Sequence, residues 1–141
     1  MIRIICIGKT EPIEIKKLKD YYLNLIRRYT KIEFIELKET SSQYKEHVIK
    51  EQCRKILSAI RYKPVLLDVF GRELSSVQFS IFLKENVKMG IDFIIGGVWG
   101  VCDEIKKFNS ISLSRMTFNH NIIRIMLLEQ IYRAFEPKYS K

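Results

Sequence analysis

The sequence predicts an α/β fold, an open parallel sheet covered by helices. Short apolar, β-branched runs alternate along the chain with segments whose apolar residues recur at helical spacing. Two of the strand-like runs, 92–95 and 111–113, lead straight into a glycine-rich and a polar loop. Loops leaving the carboxyl ends of strands are where open α/β sheets make their ligand crevices. No internal repeat, low-complexity tract or linker interrupts the 141 residues, so they read as one domain, 1–141.

Arg3–Ile7 is an apolar, β-branched run bounded by Gly8, a buried first strand. After Pro12, the residues Ile15, Leu18, Tyr22, Leu25, Ile26 and Tyr29 recur at helical spacing. That stripe leaves Lys16, Lys17, Lys19, Arg27 and Arg28 outside or at the margins. Lys31–Leu37 alternates as a strand, 38–44 is a polar surface loop, and Ile49, Cys53, Ile56, Leu57 and Ile60 mark a second helix. Pro64–Val69 is a third strand. Ser75 with Gln78 three residues later forms a capping box that starts a third helix, which stops at Gly90. Asp92–Ile95 is the fourth strand, 102–108 at most two helical turns, Ile111–Leu113 the fifth strand and 121–135 the last helix.

Gly96, Gly97 and Gly100 follow the fourth strand at once, and three glycines in five residues allow a sharp turn and close approach of backbone to a ligand. The pattern is neither the dinucleotide fingerprint nor a phosphate loop, so spacing alone indicates a crevice without naming its ligand. A plain turn is the competing reading.

Composition narrows the class. A hydrophobic fraction of 47% is ordinary for a globular protein. No run of 18 apolar residues occurs, which argues against a transmembrane helix, and the apolar start before Gly8 is too short for a signal peptide. A cytoplasmic protein is expected. Cys6, Cys53 and Cys102 are scattered and, with only two histidines, His47 and His120, imply reduced thiols and no metal site. The net charge is +9, and residues 1–63 hold most of the excess, with 15 Lys/Arg against 8 Asp/Glu. Such a half attracts a polyanion in a salt-dependent way, or is a solvated lysine-rich surface.

Ile122, Ile123, Ile125, Met126, Leu127, Leu128, Ile131, Ala134 and Phe135 occupy more than one face of the last helix. A stripe wider than about 100° needs more than one sheet to cover it. A symmetric dimer interface is the natural second cover, and complete burial within its own domain is the alternative.

Phe93-Ile-Ile-Gly-Gly-Val-Trp-Gly, then Leu113-Ser-Arg-Met-Thr-Phe-Asn-His, then Ile123-Arg-Ile-Met-Leu-Leu-Glu-Gln-Ile-Tyr-Arg-Ala-Phe, in that order and with short gaps, resemble the RlmH family. The opening Ile2–Lys9 and the central Leu66–Ser76 are similar to it as well, so the likeness covers nearly the whole chain. These are small SPOUT-class methyltransferases acting on a pseudouridine of large-subunit ribosomal RNA. The resemblance implies a SPOUT-type α/β fold with a C-terminal trefoil knot, S-adenosyl-L-methionine as cofactor, ribosomal RNA in the assembled ribosome as partner, and a homodimer.

By position, the resemblance assigns cofactor binding to backbone groups of Leu67, Gly96, Leu113, Ser114, Arg115, Met116, Thr117 and Phe118. Each has a structural alternative, a core position for Leu67 and a loop anchor for Met116 and Phe118. The implied reaction is attack of a pseudouridine ring nitrogen, N3, on a sulfonium methyl, in line and about 3 Å away, with loss of the nitrogen's proton. Candidates for assisting are His120, whose helix start favours the neutral ring, Arg124, and Tyr139, which matches the tyrosine of the family's usual Tyr-His-Lys or Tyr-His-Arg ending. Arg115 and Arg133 are further cations, and Arg133 has an ordinary i,i+4 partner in Glu129. Ser140 stands where the family has histidine, and Val98-Trp99 where smaller or more polar pairs are common. A non-catalytic ribosome-binding or assembly protein is therefore the alternative function, and a nucleotide-binding domain of another purpose a third.

Overall fold

Alternation within the strands decides which helices cover which face. In the computed structural model, which describes residues 1–139, β1 (Ile2–Ile7) turns Ile2, Ile4 and Cys6 to one side and Ile5 and Ile7 to the other. The same two-residue period recurs in β4 (Ile91–Ile95), whose Ile91, Phe93 and Ile95 oppose Ile94. Both strands are buried on both faces, as parallel strands are when helices cover them. The first face receives Leu23 and Ile26 of α1 (Ile13–Ile26), Phe79 and Leu83 of α3 (Ser76–Asn86), and Leu127, Leu128, Ile131 and Ala134 of α5 (His120–Phe135). Cys53 and Ile56 of α2 (Lys45–Ala59) and Ile105 of α4 (Asp103–Lys106) fill the second.

With β2 (Ile32–Leu37), β3 (Lys63–Glu73) and β5 (Asn109–Ser112), the strands form one sheet in the order β2-β1-β4-β3-β5, every pair parallel. The expected α/β architecture is thus observed. The capping box is present too: Ser75 Oγ accepts from the Gln78 amide at 3.1 Å and Gln78 Oε1 from the Ser75 amide at 2.8 Å. A short 3-10 turn, Pro137–Tyr139, follows α5.

Three expectations need correction. β3 does not end near Val69: it pairs Leu67 with Ile111, makes an excursion over 68–71, and pairs Arg72 with the same Ile111. Polar and glycine residues in that stretch mimic a strand end, while the bulge lets pairing resume. Lys19 is buried rather than marginal, its ammonium 3.5 Å from Glu36 and 5.0 Å from the centre of the Phe34 ring. Cys53 and Cys102 are not separate thiols but a disulfide, 49 residues apart in sequence, with Cα atoms 5.8 Å apart. Only the packing of α2 against the start of α4 brings them together. Cys6 is the free cysteine, and burial pushes its thiol up to about 12. Among the described residues no helix is long and apolar enough to cross a membrane, and no cluster of three or more metal-ligating side chains occurs.

Candidate active site

Three strands meet at one place. The excursion in β3, the carboxyl ends of β4 and β5 and the start of α5 enclose a cavity of about 710 Å³, within the usual range for small-molecule sites. Leu66 to Phe70 form one wall, Ile95–Val98 with Gly100 and Val101 a second, and Leu113, Ser114 and Met116–Phe118 a third. His120 and Ile123 of α5 close the end.

Local chemistry shapes each loop. After β4 the chain turns so tightly that the Gly100 amide donates to the Gly97 carbonyl at 3.0 Å, and Gly100 adopts φ +86°, a conformation side-chain-bearing residues rarely take. At Gly96 a Cβ would stand 2.7 Å from Val101 Cγ1, so a side chain there would have to displace Val101 within this wall. After β5, Ser112 Oγ donates to the Ser114 carbonyl at 2.9 Å and Ser114 Oγ accepts from the Met116 amide at 3.0 Å. Asn119 Oδ1 then caps α5 by accepting from the Asn121 amide at 2.8 Å.

Of the residues singled out from the sequence, Leu67, Gly96, Leu113, Ser114, Met116, Thr117, Phe118 and His120 all line this cavity. Arg115 follows the same loop, but its guanidinium turns away to Glu73 Oε2 and the Val69 carbonyl, both at 3.0 Å. Arg124 does not reach the cavity either. It is wholly buried, donating from Nη2 to the Ile7 carbonyl at 2.6 Å and from Nη1 to the Gly8 carbonyl at 3.0 Å and Thr10 Oγ1 at 2.8 Å. Glu36 lies 3.5 Å away. Burial opposes the charge of that carboxyl, yet the Thr10 hydroxyl and amide, Lys19 and Arg124 outweigh it and hold the group below its ordinary value. Arg124 thus ties the loop after β1 to α5, which is a structural placement.

His120 is half-buried, and its imidazole is held below the ordinary value of 6.5, first by burial and then by the Arg124 charge, with Glu39 opposing. A neutral ring facing the cavity is a proton acceptor at neutral pH. Tyr139 lies beyond the other end of α5, its ring under the Arg133 guanidinium at 4.2 Å. Arg133 pairs with Glu129, its Nε 3.1 Å from Oε1, the ordinary helix pair anticipated above. Ser140 lies outside the described residues.

Sequence reasoning missed Asp68, Val69, Phe70 and Lys106 as lining residues. Asp68 and Val69 read as part of the third strand, so the strand-end signal that located the other two loops reaches only Phe70 of these.

A parallel sheet with a cavity where β3, β4 and β5 meet joins a family match, and the chain belongs to that family: its sequence model, described as a predicted SPOUT methyltransferase, matches residues 1–138. Relatives narrow the class. A protein of Thermodesulfovibrio yellowstonii named ribosomal RNA large subunit methyltransferase H is 43% identical over 136 residues, 95% of this chain and 91% of that protein. Proteins of the same name are 40% identical in Caldicellulosiruptor saccharolyticus, over 96% and 94% of the two chains, and 38% in Mycoplasmopsis agalactiae, over 99% and 98%. The family implies an enzyme that uses a methyl donor.

Proposed function

We propose that this chain transfers a methyl group from S-adenosyl-L-methionine to N3 of a pseudouridine in large-subunit ribosomal RNA, acting on the assembled ribosome in the cytoplasm as a homodimer of single-domain subunits. The observation that carries the reading is the convergence of Leu67, Gly96, Leu113, Ser114 and Met116–Phe118 on one cavity, although three separate strands supply them. The residues present fit the cofactor. Leu67, Leu113, Phe118 and Ile123 offer apolar walls for a flat adenine, and Gly96, with no side chain of its own, presents backbone groups in the wall beside them. Bound there, the cofactor supplies an electrophilic methyl group.

The chain's own residues do the rest. His120 accepts a proton at the cavity end of α5, and Arg124 acts at one remove, fixing the loop after β1 against the first turns of that helix. Tyr139 and Arg133 stand at the far end of α5, about 24 Å along a 16-residue helix, so a subunit's tail serves a cavity other than its own. That separation supports the homodimer. The C-terminal trefoil knot comes to the proposal with the family. The exposed Lys16, Lys17, Arg27 and Arg28 of α1 and its end supply charge for RNA.

Methyl transfer from labelled S-adenosylmethionine to ribosomes lacking the modification, with the nucleotide located by mass spectrometry, tests the reading. Label on a single pseudouridine is expected. No label from folded, cofactor-binding protein would replace catalysis with a ribosome-binding role.

A further inference from the structure

Two adjacent residues of α2 hold the glycine loop from behind, and neither lines the cavity. Cys53 is bonded to Cys102, so the exit of the loop into α4 is tied to the helix. Gln52, 7% exposed, leaves its Oε1 without a hydrogen-bond partner. That oxygen meets the other end of the loop, since a Cβ on Gly97 would stand 2.9 Å from it. Between the two anchors lies Trp99, the one tryptophan of the chain, half exposed with Lys45 Nζ of α2 5.6 Å from its ring centre. Val101, next to Cys102, is the residue packed against Gly96 in the cavity wall.

A buried acceptor without a donor is costly and calls for an explanation. The loop's own amides are donors, and glycine permits the peptide rotation that would turn one of them toward Gln52. We infer that Gln52 and the Cys53–Cys102 bond are positioning elements for the glycine loop, coupling the affinity of the cavity to the loop's attachment to α2. In the ligand-bound protein the loop gives an amide to Gln52 Oε1. In the free protein the bond restricts the loop, so less conformational freedom is lost on binding. The inference rests on the cavity being the S-adenosylmethionine site.

A dithiol reductant opens the device. Its thiolate attacks one sulfur, the Cys53–Cys102 bond breaks, and the reagent leaves as a cyclic disulfide. Two electrons and two protons end on the cysteines as thiols.

The test uses the full chain and S-adenosylhomocysteine, with affinity read by calorimetry and the loop by Trp99 fluorescence. Thiol state is set by oxidised or reduced dithiothreitol and verified by mass. Reduction is expected to weaken binding about three- to tenfold, the scale of ordering a residue or two. The double variant Cys53→Ser, Cys102→Ser should bind like the reduced protein whatever the dithiol. Gln52→Met should weaken binding by a similar factor while the Tm of the free protein holds or rises, because a buried unpaired group is removed. A merely structural glutamine would lower Tm and leave the affinity of the folded protein alone.

Equal affinity in both thiol states, or cysteines that fail to bond under oxidised dithiol, overturns the role of the bridge. Wild-type affinity in Gln52→Met overturns that of Gln52. Absence of binding by every form strikes the cofactor assignment instead.

Discussion

At the amino edge of the sheet, Asp92 is wholly buried and fully engaged. Its Oδ1 accepts from Arg3 Nη1 at 2.8 Å, and its Oδ2 accepts from the Arg61 and Tyr62 amides, both at 2.7 Å. Arg3 is completed by the Ala59 carbonyl at 3.0 Å and Glu33 at 3.3 Å. At the carboxyl edge a second buried arginine, Arg124, also bonds backbone carbonyls, yet its Nε has no partner, and Gln52 Oε1, behind the glycine loop, has none either. These are the two buried side-chain atoms without partners among the described residues, and both lie at the edge that carries the cavity. The edge without a ligand is satisfied for stability, while the other leaves polar capacity beside the loops that bind. Such local inconsistencies are expected where function competes with folding.

Asp92→Ala should cause the largest loss, about 3–5 kcal/mol in urea unfolding, since it strands the Arg3 charge in the interior. Affinity for S-adenosylhomocysteine in the folded fraction should stay within about twofold. A large affinity loss would break the separation of the edges. Arg124→Met should cost somewhat less, about 2–4 kcal/mol, because one of its nitrogens is already unpartnered. Full stability with lost turnover would instead place that guanidinium on substrate.

Gly96→Ala sharpens the contrast from the other side. Its new methyl meets Val101 in the cavity wall, and cofactor affinity should fall about tenfold, roughly 1.4 kcal/mol, with the fold intact by circular dichroism.

The pH dependence of His120 is smaller still. Its folded-state value is depressed, so the unfolded chain binds the proton more readily, and stability rises with pH. The contribution is complete above the ordinary value of 6.5 and is lost as pH falls below it. His120→Gln should flatten the stability profile between about pH 5 and 7. An unchanged slope would remove the histidine from that role. Least of all, Arg133→Gln should shift Tm by no more than about 1 °C, because the pair with Glu129 is a solvent-screened helix contact. If turnover nevertheless falls, the far end of α5 serves a neighbouring subunit's cavity.

Much of this was legible in the chain. Ser75 and Gln78 announced the third helix because capping is decided within four residues. The loops at 96–100 and 113–119 were found because strand ends and glycine turns are local too. In the chain, Arg115 lies within the loop that walls the cavity and Arg124 lies one turn into the helix that closes it. Their side chains go elsewhere, one to Glu73 and one into the core, because those partners come from β3 and from the β1 and β2 ends.

The sequence by itself determined the alternation of strands and helices, the faces they bury and the loops at the strand ends, since periodicity, caps and turns act over a few residues; the residues assigned to the cavity came with the family resemblance. Only the tertiary structure decided that Lys19 goes inside, that Cys53 meets Cys102, and that Gln52 stands unpaired behind the glycine loop. Each depends on strand order and helix placement, which bring together residues far apart in the chain, and no local pattern records such a meeting.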